Sequence, residues 1–197
     1  MANADHYDLS RGEGKIGVRA DAQKNADAIV IAAGKVFAES GVNAPVREIA
    51  AQAGVGIATI YRRFPTRSEI VAAVFRGEVD ACADDARRRL KSDPPVAALA
   101  GWLHRYTEFI ATKRGLATAL HSGDPAFKEL PGYFRTKFEP VLEELLNAGA
   151  EAGQVRTDIP AYDILRAVGN LCVASDNEGD AHTRRMVDVL VDGLRKV

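Results

Sequence analysis

Apolar residues recur at three- and four-residue steps along most of the chain, a pattern typical of helices that bury one face. No stretch alternates apolar and polar residues as a half-buried strand does, and the sequence shows no internal repeat. The pattern therefore predicts an all-α fold of about nine helices. The predicted helices cover residues 21–40, 44–53, 57–64, 67–91, 96–113, 115–121, 134–150, 161–175 and 180–196.

Capping signals predict where several of these helices begin and end. Gly41 can end the first helix in the left-handed conformation, Asn43 can cap the second helix, and Gly54 breaks the second helix. Thr66 and Glu69 have the three-residue spacing of a capping box at the start of the fourth helix. The resulting organisation is a flexible arm over 1–20, a small domain over 21–66 and a larger domain over 67–197.

Composition excludes several classes of protein. The chain has 197 residues, of which 47% are hydrophobic and 27% charged, so it is neither disordered nor fibrous. It has no apolar run long enough for a membrane helix, no hydrophobic signal core and no paired CxxC cysteines, which favours a cytoplasmic protein. The net charge of −1 means that a nucleic-acid surface would have to be a local basic patch.

The stretch from Val46 to Phe75 carries the most specific signal. Two short helices joined by a tight turn at Gly54 predict a helix-turn-helix, whose second helix enters the major groove of DNA. On that second helix, Ile60 is expected to pack inward, whereas Ile57 lies between core and groove, so its role is open from periodicity alone. Side chains that suit phosphates or guanine edges are Thr59, Tyr61, Arg62 and Arg63.

Residues 50–70 read AAQAGVGIATIYRRFPTRSEI, and this run resembles the DNA-binding domain of the tetracycline-repressor (TetR) family of bacterial transcription regulators. The resemblance extends over roughly residues 20–75. It implies an all-α homodimer in which three N-terminal helices bind DNA and a C-terminal bundle binds a ligand and forms the dimer. Two-fold symmetry then predicts a palindromic operator of double-stranded DNA.

The same resemblance implies roles for single residues. Those expected to contact the DNA backbone are Thr59, Tyr61, Arg63 and Arg67. Those expected to read base edges are Arg47, Ile57 and Arg62. The chain departs from the family at the start of the second helix, where Ala44-Pro45 replaces the usual Thr or Ser, so that a phosphate contact there would depend on backbone N–H groups.

The larger domain is expected to hold an unidentified small-molecule effector and the dimer interface. The run 111–116, ATKRGL, resembles one branch of the family in its C-terminal domain. Residues expected to line the effector pocket are Trp102, Tyr106, Phe109, His121, Phe127 and Phe134. Residues expected in the dimer interface, from the apolar faces of the last two helices, are Ile164, Val168, Leu171, Val187, Leu190, Val191 and Leu194.

The remaining polar residues suggest no catalytic chemistry. The sequence has no serine-hydrolase, zinc-protease or P-loop motif, so no enzyme activity, cofactor or metal is expected. Cys172 lies in an apolar helix and is expected in the core. A run of acidic and basic residues on one helix is interpreted as a solvated, salt-bridged face; its members are Asp80, Asp84, Asp85, Arg87, Arg88 and Arg89.

The sequence therefore predicts a cytoplasmic, homodimeric TetR-like repressor that a small molecule releases from its operator. Two other classes compete with this hypothesis. A small all-α enzyme would need acid and base groups converging in a pocket. A ligand-binding or scaffold protein could keep the helix-turn-helix without binding DNA. Activators share the same DNA-binding module, so the sign of regulation rests on the resemblance alone.

Overall fold

The computed structural model describes residues 13–111, 123–173 and 179–196. Within these ranges the regular structure is helical, which confirms the predicted all-α class. The helices are α1 (Glu13–Ser40), α2 (Val46–Ala53), α3 (Ile57–Arg63), α4 (Arg67–Ser92), α5 (Pro95–Ala111), α6 (Leu130–Glu151), α7 (Ala161–Val173) and α8 (Gly179–Gly193), and a 3-10 turn (Pro125–Phe127) precedes α6. The helix predicted over 115–121 lies outside the described residues.

Three predicted helix starts are wrong by two residues or more, and one of them is that of α6, which begins at Leu130 rather than at residue 134. Helix α1 begins at Glu13 rather than at residue 21, so residues 13–20 are helical and not part of an arm, while residues 1–12 lie outside the described residues. Asn43 does not cap α2; the capping position is Pro45, with φ −61° and ψ 137°, and no side chain bonds to the first turn. The capping box is borne out in part, because the Glu69 N–H donates to Thr66 Oγ1 at 3.2 Å.

The chain divides into two compact units, Met1–Val74 and Phe75–Val197. The division falls inside α4, because the first two turns of α4 supply Ile70 and Val74 to the core of the first unit. That core joins residues from four helices, and its fully buried side chains include Ile29, Ile49, Ile60 and Ile70.

The second unit has its own core, built from α4 to α8. Trp102 lies at its centre with no exposed surface, and its indole N–H donates to the Cys82 carbonyl at 2.9 Å. Cys172 is buried in the same cluster, as predicted. Of the helices in the described ranges, none is both long and apolar enough to cross a membrane.

The charged face of α4 is only partly solvated. Asp84 and Arg87 form an exposed pair at 2.9 Å, as predicted. Asp85, in contrast, is only 7% exposed and accepts from Arg89 at 2.6 Å and from Arg88 at 2.7 Å. The hydrogen bond from Arg89 to the Asp85 carboxylate raises the pKa of the guanidinium. Removing these donors would leave a buried carboxylate unpaired and lower the free energy of unfolding, so this part of the network stabilises the fold.

Candidate nucleic-acid interface

The turn between α2 and α3 depends on one glycine. Gly54 has φ 66° and ψ 29°, the left-handed conformation in which a side chain is disfavoured. Its N–H points back at the last turn of α2, and the Val55 N–H donates to the Ala50 carbonyl at 3.1 Å. These bonds close α2 and direct the chain into α3, whose first residue follows Gly56 in extended conformation. The predicted helix-turn-helix geometry is therefore present.

Helix α3 is anchored by one face and exposed on the other. Ile60 has no exposed surface, and Val55 and Phe64 pack half-buried against the same core. Ile57 and Tyr61 are 46% and 48% exposed. The structure thereby decides the position of Ile57, which the periodicity left open: it lies on the outer surface, beside the predicted DNA-contacting residues.

Of the arginines of the first unit whose side chains the structure describes, three are exposed, and their surroundings differ. Arg62 folds back along its own helix, where Nη2 donates to Thr59 Oγ1 at 3.1 Å and Nε donates to the Ala58 carbonyl at 3.3 Å. Arg63 is exposed at the end of α3, and Arg47 is exposed in the first turn of α2. The interface thus presents three guanidinium groups, an exposed phenol and the Thr59 hydroxyl, all of which can bind phosphate or base edges.

Arg67 has an environment that the sequence did not suggest. It is half-buried at the start of α4, where Nε donates to the Val42 carbonyl at 2.9 Å and Nη2 donates to the Ala44 carbonyl. The expectation from the resemblance was a side chain directed at phosphate. One edge of this guanidinium is instead bound to the connection between α1 and α2. No local sequence signal pointed to these partners, because they lie 25 and 23 positions away along the chain.

The residues predicted to line an effector pocket are largely core. Trp102, Phe109 and Phe127 are at most 6% exposed and pack inside the second unit. Tyr106 and Phe134 are half-buried, and His121 lies outside the described residues. The Tyr106 ring stacks on Trp102 with centroids 5.6 Å apart and meets Phe138 edge-on at 5.2 Å. Burial raises the pKa of Tyr106 above its ordinary value of 10.

A small cavity of about 40 Å³ lies between the C-terminal half of α5 and the facing ends of α7 and α8. Its walls include the buried hydroxyls of Thr107 and Thr183 and the thiol-bearing residue Cys172. The Arg184–Glu108 ion pair, at 2.7 Å, is also part of its lining. These residues were not among the predicted pocket residues, because the apolar periodicity of a helix does not reveal where packing leaves a gap.

The residues expected in the dimer interface differ in their exposure within a single chain. Ile164, Val168, Val187, Val191 and Leu194 are at most 4% exposed within a single chain, so they pack its own core and offer almost no surface to a partner. Leu171 and Leu190 are half-buried and keep accessible area. The periodicity did not single out Val189, which is 63% exposed on α8.

Comparison with known proteins agrees with this geometry. The family model of bacterial regulatory proteins of the tetR family matches residues 29–74, and the model of the C-terminal domain of SbtR-like transcriptional regulators matches residues 94–196. No curated protein matches the chain.

Many solved structures are similar to this chain, among them the following three. A TetR transcriptional regulator from Streptomyces coelicolor is 34% identical, with 87% of this chain and 99% of that chain covered and a TM-score of 0.71. A TetR transcription regulatory protein from Mycobacterium vanbaalenii is 33% identical, with 91% and 99% covered and a TM-score of 0.66. A transcriptional regulator from Saccharomonospora viridis, solved in complex with choline, shares the fold at 17% identity, with 89% and 100% covered and a TM-score of 0.64. With both domain models matched and two relatives above 30% identity, the chain belongs to the TetR family of DNA-binding transcriptional regulators.

Proposed function

We propose that this regulator is a repressor that binds a palindromic operator as a homodimer and leaves it when a small molecule binds its second unit. The observation that carries the DNA-binding part is the surface of α3. Ile60 is buried beneath the helix, while Ile57, Tyr61 and two arginines are exposed on it. A short helix that is held by one buried face can insert its exposed face into a major groove.

The side chains on this surface divide into two roles. Tyr61 and Arg63 are suited to phosphates, because each presents a donor at the surface of α3. Arg62 and Arg47 are suited to base edges, and a guanidinium can bind guanine through two hydrogen bonds. In the absence of DNA Arg62 bonds to Thr59 and Ala58, so reading a base requires it to leave both acceptors. Ile57 is suited to the methyl group of thymine.

Dimerisation is proposed through the apolar positions of α7 and α8 that keep accessible area. This proposed surface consists of Leu171, Val189 and Leu190, of which Val189 has the most accessible area. A two-fold axis there would pair like surfaces of the two subunits and present two copies of α3 to successive major grooves. The operator is then expected to contain inverted half-sites one helical turn apart.

The effector is proposed to act through α4, since this helix contains the division between the two units. A site beside the half-buried rings of Tyr106 and Phe134 would let a small molecule alter the packing of the second unit. The Saccharomonospora viridis regulator, which shares this fold, was solved in complex with choline, and this supports a ligand site in the proposed mechanism. For the effector to release DNA, it must have higher affinity for the arrangement that cannot bind the operator than for the arrangement that can.

The first experiment measures binding to labelled duplex DNA from just upstream of the gene, by fluorescence anisotropy at two salt concentrations, with scrambled duplex as competitor. We expect tight binding whose preference over scrambled DNA survives at the higher salt. Arg62→Ala should reduce the preference among mismatched operators, whereas Arg63→Ala should weaken all duplexes about equally. Lys128→Ala, which removes an exposed charge in the second unit, is the matched control.

Either of two results would contradict the proposal. Binding that does not distinguish the upstream duplex from scrambled DNA would leave only phosphate attraction. Equal effects of the Arg62 and Arg63 substitutions on all duplexes would remove the proposed division between base reading and backbone contact.

The chain's single tryptophan, Trp102, stacks on Tyr106 and so provides a fluorescence signal for effector screening.

A further inference from the structure

The connection between α1 and α2 is held by a residue from elsewhere in the chain. Arg67, the first residue of α4, donates from Nε to the Val42 carbonyl at 2.9 Å and from Nη2 to the Ala44 carbonyl. These two nitrogens form one edge of the planar guanidinium, so a single side chain binds two carbonyls of the connection. The contact spans 25 and 23 positions of sequence.

This connection has few other means of being held. Pro45, at the capping position of α2, has no N–H, and no side chain caps the helix. The Ala44 N–H donates to Gly41 and the Glu48 N–H donates to Pro45, so the carbonyls of Val42 and Ala44 take no part in these bonds. Ala44 is only 3% exposed. If Arg67 were removed, the Ala44 carbonyl would lose this hydrogen bond, and water could hardly reach it to replace the donor.

We propose that Arg67 is a positioning residue for DNA binding, which orients the start of α2 and with it Arg47. This inference rests on the proposed function, in which Arg47 reads a base edge. Arg47 lies two positions after Pro45 and is exposed, so its direction depends on how the first turn of α2 is held. Arg67 acts through that turn and does not serve mainly as a ligand for phosphate.

Arginine and lysine distinguish the two roles at this position. A lysine keeps the positive charge and can meet a phosphate, but its single ammonium group cannot reproduce the two parallel donors of a guanidinium edge. A positioning role therefore predicts that Arg67→Lys behaves like Arg67→Ala. A phosphate-binding role predicts that Arg67→Lys behaves like the wild type. Arg63 supplies the matched pair, because it is exposed at the end of α3 and is proposed to bind phosphate.

The test compares Arg67→Lys, Arg67→Ala, Arg63→Lys and Arg63→Ala in the full chain, at a temperature where circular dichroism shows every variant folded. Both Arg67 variants should lose about tenfold in operator affinity, with the salt dependence of binding unchanged. Arg63→Lys should retain its affinity, and Arg63→Ala should reduce the slope of log K against log salt by about 0.9. Wild-type affinity in Arg67→Lys, together with a reduced slope in Arg67→Ala, would overturn the inference.

Two further measurements separate positioning from a general loss of stability. In a double-mutant cycle, the Arg47→Ala and Arg67→Lys losses of operator affinity should not add, because both remove the same base contact. Full additivity would overturn the inference.

Hydrogen exchange of the segment 41–48 in the DNA-free protein should be faster in both Arg67 variants than in the wild type or the Arg63 variants. Unchanged exchange there would also overturn the inference. This measurement needs no DNA, so it remains decisive if the wild type fails to bind the upstream duplex, a failure that would instead contradict the proposed function.

Discussion

Replacing Gly54 with alanine tests whether the turn of the helix-turn-helix depends on its left-handed backbone. Gly54 has φ 66°, and a Cβ added there would meet no atom within 4 Å. The substitution therefore creates no steric overlap with the rest of the protein. Its cost comes from the backbone conformation alone, in which the Cβ of an L-residue approaches its own carbonyl.

The expected magnitude follows from this backbone cost. A non-glycine residue in the left-handed region is disfavoured by roughly 1–2 kcal/mol, so Gly54→Ala should lower the free energy of unfolding by about that amount. Gly34, inside α1, is the matched control, because a Cβ there meets Val74 Cγ1 at 3.7 Å, an ordinary contact. Gly34→Ala should raise the free energy of unfolding by about 0.5–1 kcal/mol, since alanine favours the helix.

The stability assay is urea unfolding followed by far-ultraviolet circular dichroism. Operator binding is measured separately by fluorescence anisotropy, in buffer without urea and at a temperature where both variants are folded. The two alanine substitutions should shift the unfolding midpoint in opposite directions. Operator affinity should fall for Gly54→Ala and stay unchanged for Gly34→Ala. If Gly54→Ala proves as stable as the wild type, or shifts in the same direction as Gly34→Ala, the reasoning from backbone strain is refuted.

Three further predictions concern the second unit. Trp102→Phe should lower the free energy of unfolding by about 1–3 kcal/mol in urea titrations, because it removes the indole hydrogen bond to the Cys82 carbonyl and leaves part of the space of a fully buried side chain empty; no measurable loss would contradict this. Burial raises the pKa of Tyr106, so the phenol ionises at lower pH in the unfolded chain than in the folded one, and the free energy of unfolding should fall as pH rises above 10. Tyr106→Phe should reduce that fall when unfolding is measured as a function of pH. An unaltered pH profile in this variant would exclude the explanation. Val189→Asp should give monomers in light scattering, since it places a charge on the proposed interface at a position that contributes little to the core; an unchanged mass would exclude that surface.

The features that the sequence predicted well are those set by neighbouring residues. The turn at Gly54, the inward position of Ile60 and the Thr66–Glu69 hydrogen bond each depend on a few consecutive residues, so the local pattern was sufficient. The all-α class followed from the same periodicity. The family resemblance, carried by residues 50–70, extended these local predictions to a function, that of a transcriptional regulator.

The features that needed the tertiary structure are those that depend on distant partners. Periodicity identified the apolar faces of the last two helices, but it could not tell a face that packs its own chain, as Val187 does, from one that stays exposed, as Val189 does. It also could not show that Asp85 is buried among arginines, or that Arg67 binds carbonyls more than 20 positions away. Local sequence determines which helices form and which of their sides are apolar, whereas the packing of those helices decides what each side meets.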